Sequence, residues 1–136
     1  NGTTSTWRSL RLDGTAAYIY NDLTTAGSVT ELSDERAKTN IKTLDSTKAL
    51  QMRGVSFTTL DGSKGSGVIA QEIELIAPEL VRNMEISVVN PDTGEEEEVE
   101  RKTVAYGQLV GYLIETVKAQ QEQIDVLAAK VAVLEG

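Results

Sequence analysis

The longest repeating pattern of apolar positions lies in the last third of the chain. Seven positions there are spaced alternately four and three residues apart: Leu113, Val117, Gln120, Ile124, Leu127, Val131 and Leu134. This is a heptad seam, with Val or Ile at a and Leu or Gln at d. No proline interrupts residues 103–135, so the pattern predicts a helix over these residues, about 50 Å long at 1.5 Å per residue.

A small domain cannot cover so long an apolar stripe by itself, so we expect parallel self-association through residues 103–136 as a coiled-coil helix. The alternative is a packed helix within a monomeric bundle. Ile and Val at a with Leu at d favour two strands by default, and Gln120 at d is a candidate for setting the register. The seam alone therefore leaves the number of chains open.

Shorter patterns upstream of this helix predict small α and β elements. Alternation at Val55, Phe57 and Thr59 indicates a strand, and we expect the glycine-rich residues 61–67 to form a flexible loop. Four further features are an expected cap at Ser46 on a short helix, an acidic amphipathic segment over 71–76, a restart of the chain at Pro78, and a hairpin turning at 90–94. The expected fold class is α+β, with short strands, a protruding hairpin and a long C-terminal helix.

The first 32 residues are predicted to form short strands and turns. The three apolar stretches are 7–12, 16–20 and 28–32, each too short to bury a core alone. We expect them to need other chains or an upstream partner. The sequence does not begin with Met, so we also expect it to be part of a longer polypeptide.

Composition excludes several classes of chemistry. The chain has no histidine and no cysteine, which removes His-based catalytic triads, thiolate metal sites and disulfides. A net charge of −8 with no basic stripe argues against nucleic acid and anionic membranes, and no apolar run is long enough to span a bilayer. No cofactor is expected. The four carboxylates of residues 95–98 suit a hard cation, but a solvated strand is the favoured interpretation.

Four stretches together resemble one known family. They are residues 32–41 (LSDERAKTNI), residues 67–79 (GVIAQEIELIAPE), residues 104–109 (VAYGQL) and the terminal heptad helix. This combination is similar to the C-terminal intramolecular chaperone domain, of the peptidase S74 type, of phage endosialidases, tailspikes and tail fibres. The likeness covers residues 33–136, and residues 1–32 resemble the β-rich end of the fibre that precedes such a domain.

The resemblance implies a homotrimer that brings upstream fibre chains into register, promotes their folding and then cuts itself off. It implies Ser33 as nucleophile and Lys38 as base, with Leu32–Ser33 as the scissile bond and Asp34 and Arg36 as supporting residues. The implied partners are the chain itself and the upstream fibre, without nucleic acid or membrane. The implied location is a virion tail-fibre precursor assembled in the bacterial host cytoplasm, from which the chaperone part is released.

The chemistry of such a pair sets a physical requirement. A lysine amine is protonated at neutral pH, so it must lose its proton before it can act as a base. Acidic neighbours oppose that loss, which leaves burial at an oligomer interface as the obvious means. Ser33 and Lys38 lie five residues apart, about 140° around an ideal helix, so Ser33 must sit at or before the helix start, or the segment must turn. Spacing alone would favour Ser33 as an ordinary helix cap, whereas the family pattern favours the nucleophile.

Two rival functions share the oligomer but differ in chemistry. A non-cleaving trimeric fibre tip that binds a receptor has no need of Ser33 or Lys38. A precursor of a membrane-associated transcription factor is the second rival, because similar self-cleaving trimer domains occur in some eukaryotic regulators. The β-rich residues 1–32 favour the phage context.

Overall fold

The computed structural model describes residue 14, residues 16–19 and residues 22–136. The chain divides into two units, Asn1–Ala37 and Lys38–Gly136. Among the described residues of the first unit the only regular element is a 3-10 turn at Glu35–Ala37. The predicted strand at 7–12 lies outside the described residues. Strands are also predicted at 16–20 and 28–32. The described residues of these two stretches form no strand, because they pair with no other described strand, and they are exposed.

The second unit combines short strands and helices, which confirms the α+β expectation. Its strands are β1 (Val55–Thr58), β2 (Lys64–Gly67), β3 (Val81–Val89) and β4 (Glu96–Val104), and its α-helices are α1 (Ala70–Ile76) and α2 (Leu109–Glu135). Three 3-10 turns lie at Lys48–Gln51, Pro78–Leu80 and Tyr106–Gln108. In the described part of the chain the strands form two antiparallel pairs, β1 with β2 and β3 with β4.

The glycine-rich segment predicted to be a flexible loop is largely strand β2. Gly67 pairs with Val55, and Lys64 pairs with Thr58. The hairpin is closed by Asp61, whose carboxylate accepts the Ser63 N–H at 2.9 Å and contacts the Thr59 hydroxyl. The glycine content suggested a flexible loop, but the bond between the Asp61 carboxylate and the Ser63 N–H fixes the turn. The alternation of apolar and polar residues does not reveal such a bond.

The predicted hairpin around residues 90–94 is confirmed and is longer than expected. Its register runs from Val81 opposite Val104 to Val89 opposite Glu96. Asn90 starts the turn, since its Oδ1 accepts the Asp92 N–H at 2.8 Å, and Gly94 supplies the left-handed conformation with φ of 73°.

The core lies where α1, the Pro78 turn, the start of β3 and α2 meet. Its buried residues are Ile73, Ala77, Leu80, Val81 and Tyr112. Ile73 and Leu80 are fully buried, each contributing about 1.5–3 kcal/mol of transfer free energy. Partly buried side chains of the 49–52 segment, α1 and α2 pack around them.

The C-terminal helix begins six residues later than predicted. Residues 103 and 104 complete β4, and the Ala105 N–H donates to the Leu80 carbonyl at 2.8 Å. The chain then makes the 3-10 turn at Tyr106–Gln108 before α2 starts at Leu109. Strand pairing with β3 therefore overrides the helical propensity of this segment. No helix of the described residues is long and apolar enough to cross a membrane.

Candidate functional site

The predicted cleavage segment is an exposed, extended stretch that ends in a 3-10 turn. Leu32 and Ser33 precede the turn directly, and both are exposed. The turn is closed by the Ala37 N–H, which donates to the Asp34 carbonyl at 3.0 Å. Ser33 therefore lies before the first helical residue, one of the two placements that its predicted role allowed.

Asp34 and Arg36, the predicted supporting residues, are brought together. The Arg36 guanidinium contacts the Asp34 carboxylate at 2.7 and 3.0 Å, and the Arg36 backbone N–H donates to the same carboxylate at 2.8 Å. These bonds from Arg36 lower the pKa of Asp34. The Arg36 side chain is 91% exposed, so the ion pair contributes little to stability. Its effect is local, since it fixes the turn that follows Ser33.

Lys38, the predicted base, follows this turn and is exposed in the single chain. The division between the two units falls between Ala37 and Lys38, so the two predicted catalytic residues belong to different units. Two residues beyond Lys38, Asn40 adopts a left-handed conformation with φ of 54°, which asparagine tolerates better than most residues. The chain thus bends two residues after the predicted base.

Two of the sequence stretches that carry the family resemblance meet in space. The Tyr106 hydroxyl accepts the Val68 N–H at 3.1 Å and lies 3.5 Å from the Val68 carbonyl. A Cβ on Gly67 would come within 2.3 Å of that hydroxyl, so the close approach requires glycine. Tyr106 therefore ties the start of α2 to the end of β2, a contact that the sequence reasoning did not identify.

A second group of polar contacts joins α2 to the rest of the unit. The Tyr112 hydroxyl donates to the Glu79 carboxylate, and the Lys48 amine lies 6.0 Å from the centre of the Tyr112 ring. Burial, reinforced by the Glu79 bond, raises the pKa of Tyr112 to about 12. Although burial acts to raise it, the pKa of Glu79 is lowered on balance, chiefly by the Tyr112 bond.

The expected cap at Ser46 is wrong. The short turn at Lys48–Gln51 has Thr47 as its N-cap residue, without a side-chain cap bond. The Asp45 carboxylate accepts both the backbone N–H and the hydroxyl of Thr47, at 2.8 and 2.7 Å. Ser46 contributes its carbonyl instead, which accepts the Thr116 hydroxyl of α2 at 2.7 Å. The sequence separation of these partners explains why local rules did not find the contact.

The carboxylate run of residues 95–98 lies mostly on β4 and does not converge. Successive side chains of a strand point to opposite faces, and Glu97 accepts a bond from the Asn90 amide while Glu96 faces Ser87. Within the described ranges, no group of three or more Asp or Glu residues has a geometry suited to a metal ion.

The heptad seam of α2 is exposed in the single chain. Leu113 is 54% exposed and Leu134 is 86% exposed, and each apolar seam position between them is at least half exposed. From Gln120 to Gly136 every residue is exposed. The helix thus carries a continuous apolar stripe that the described part of its own chain leaves open to solvent.

A comparison with family models bears on part of the chain. Residues 33–82 match the peptidase S74 family, described as the chaperone of endosialidase. The family resemblance is confirmed for this segment. The matched segment begins at Ser33 and includes β1, β2 and α1, whereas α2 lies beyond it. No curated protein is detectably similar to the chain.

Proposed function

We propose that residues 33–136 form an intramolecular chaperone that trimerises, templates the folding of an upstream phage tail fibre or tailspike, and then releases itself by cutting Leu32–Ser33. The observation that carries this proposal is the match to the endosialidase chaperone family, which begins at the residue that follows the proposed scissile bond. The match supports the chaperone role in general. The trimer, the templating and the cut are our proposal.

The exposed seam of α2 supports the self-association that the trimer requires. A 27-residue helix with one apolar stripe facing water gains stability by burying that stripe, and identical stripes on three copies are self-complementary. Parallel alignment also places Lys130 at g of one helix near Glu135 at e of the next, since g and e positions five residues apart face each other. This opposite-charge pair favours the parallel, in-register arrangement that a fibre template needs.

The proposed cut starts from the Ser33 hydroxyl. In one route its oxygen attacks the Leu32 carbonyl carbon while Lys38 accepts the hydroxyl proton. Lys38 then returns the proton to the Ser33 nitrogen as the Leu32 acyl group moves from that nitrogen to the oxygen, and water hydrolyses the resulting ester to a Leu32 carboxylate and the Ser33 hydroxyl. In the other route Ser33 assists a water that attacks the same carbonyl. Both routes need a neutral lysine amine, and because Lys38 is exposed in the single chain, assembly must provide its burial.

The β3–β4 hairpin is the element that we assign to the growing fibre. In the half of the hairpin around residues 85–100 no side chain is buried, so its surface is available to a partner. The carboxylates of residues 95–98 would provide a polar and reversible grip. The proposed setting is a virion tail-fibre precursor in the bacterial host cytoplasm. Cleavage would then leave a fibre that cannot refold through its lost template and persists through slow unfolding.

The test replaces the two proposed catalytic residues separately. We expect Ser33→Ala and Lys38→Met to abolish cleavage while leaving the trimer intact, as measured by intact mass and native mass spectrometry. Ser28→Ala, a change in the same exposed segment, is the matched control and should cleave like the wild type. Cleavage that continues in Ser33→Ala would contradict the proposed nucleophile. A stable trimer that never cleaves, even in the wild type, would favour the receptor-binding fibre tip.

A further inference from the structure

A cavity of about 220 Å³ lies beside the start of α2, next to the heptad seam. Its lining is mostly apolar: Ala49, Met52, Arg53, Gly54, Val68, Leu109 and Leu113. Leu113 belongs to both the cavity and the seam. The surface that would be buried by a second copy therefore continues from the helix onto the body of the unit.

The heptad positions show on which flank of α2 this cavity lies. Leu109 occupies a g position and Leu113 a d position. Tyr112 at c and Thr116 at g are buried against the body on the same flank. Ile114 lies on the opposite flank, at an e position, and does not line the cavity of its own chain. It is 52% exposed, at a position where coiled coils commonly place charged residues.

The cavity beside Leu109 and the exposed side chain of Ile114 are placed to meet across a parallel interface. A residue at g of one helix faces the residue five positions later, at e, on its neighbour, so Leu109 faces Ile114 of the next copy. We propose that Ile114 of each protomer inserts into the cavity beside Leu109 of its neighbour. Three equivalent contacts would close the ring, and the only occupant required is a second copy of this chain. The inference rests on the proposed trimer and adds the part of the body that the trimer uses.

The proposed contact would link trimer formation to the packing of the β1–β2 hairpin. Val68 lines the cavity, and its backbone N–H is bound by the Tyr106 hydroxyl. Gly54, also in the lining, ends the segment that leads into β1. Filling the cavity would therefore strengthen a packing of β1 and β2 against α2 that the Tyr106 bond already begins in the single chain.

The absence of cysteine from the sequence allows a direct test by engineered disulfides. The pair Gly54→Cys with Ile114→Cys is suitable, because a Cβ on Gly54 meets no atom within 4 Å. After mild oxidation of the full chain we expect covalent trimers on a non-reducing gel, with dimers as intermediates. Ile114→Cys alone and the pair Leu75→Cys with Ile114→Cys are the controls. Leu75 is an exposed residue of α1 outside the cavity.

Native mass spectrometry of the reduced proteins separates the two proposals. A trimer in which only the Gly54 and Ile114 pair becomes linked between chains supports the inference. A trimer that forms no such link, or links equally well through Leu75→Cys, overturns the inference and leaves the proposed function standing. A reduced protein that is monomeric overturns the proposed trimer itself. As a second readout, Ile114→Ala should weaken trimer formation at least about tenfold, whereas Val133→Ala, outside the seam, should leave it unchanged.

Discussion

The two halves of α2 carry the same heptad pattern but have different surroundings. In the first half, Tyr112 is 3% exposed and Thr116 is bonded to the Ser46 carbonyl, so the c and g flank is held by the body. In the second half, from Gln120 onward, every residue is exposed. A periodic pattern therefore shows which helix face needs burial. Whether the same chain or another copy buries that face is seen only from how the rest of the chain packs against the helix.

The exposed half is the less stable half on its own. A helix held by no tertiary contacts depends on propensity alone, which is marginal for a segment of this length. Burying each seam side chain would add about 1.5–3 kcal/mol. The second half of α2 should therefore be ordered by assembly, and the first half by the body.

The largest expected effect is the loss of assembly in an Ile124→Lys variant, which changes only the second half of α2. A charge in a buried a layer would be repeated in each copy, so we expect assembly to be lost, with an affinity at least about ten-thousandfold weaker. Helical signal in far-UV circular dichroism should fall by the contribution of the second half only. Native mass spectrometry measures the assembly. Glu122→Lys, at an f position outside the seam, is the control, and equal behaviour of the two variants would refute the seam.

The next effect concerns the half that the body holds. Tyr112→Ala removes a buried ring and its bond to Glu79, and should lower the free energy of unfolding by about 3–5 kcal/mol. Urea unfolding in the Ile124→Lys background measures this value without a contribution from assembly. Val133→Ala, at a side chain that is 79% exposed, should change it by less than about 0.5 kcal/mol. Similar losses for both variants would contradict the assignment of Tyr112 to the core.

The smallest expected effect is a pH dependence of the free energy of unfolding, caused by Tyr112 in the first half of α2. Because the folded pKa of Tyr112 is raised from 10.0 to about 12, the folded state holds its proton more tightly than the unfolded state. The associated stability is present below pH 10 and is lost as the pH rises from about 10 to 12, amounting to roughly 3 kcal/mol at most. Unfolding titrations of the Ile124→Lys protein should show this decline. The Tyr112→Phe variant should lack it, and an identical slope in both would contradict the assignment.

Much of the fold could be predicted because local patterns decide it. The turn at Asn90, the amphipathic segment at 71–76 and the seam from Leu113 all depend on spacings of a few residues, and the structure has a turn at the first and helices at the other two. The strand β2 and the late start of α2 were missed because strand pairing outweighs local propensity there. A sequence window does not contain the partner that provides this pairing.

In the candidate site, too, the local contacts could be predicted from the sequence and the long-range contacts could not. The Asp34 and Arg36 turn follows from neighbouring residues, and the family match over 33–82 supports the segment that begins at Ser33. The contacts of Tyr106 with Val68 and of Tyr112 with Glu79 span more than thirty residues of sequence, so no local rule could reveal them. The proposed pairing of Ser33 with Lys38 remains a prediction.

We expect assembly to precede the cut, and the dependence of the cleavage rate on protein concentration reports this order. The full chain, prepared unfolded and refolded at concentrations from nanomolar to micromolar, would be followed by intact mass for the appearance of residues 33–136. We expect negligible cleavage at the lowest concentrations and a rate that rises more than proportionally where native mass spectrometry detects trimers. Cleavage at full rate in a sample that native mass spectrometry shows to be monomeric would contradict this order.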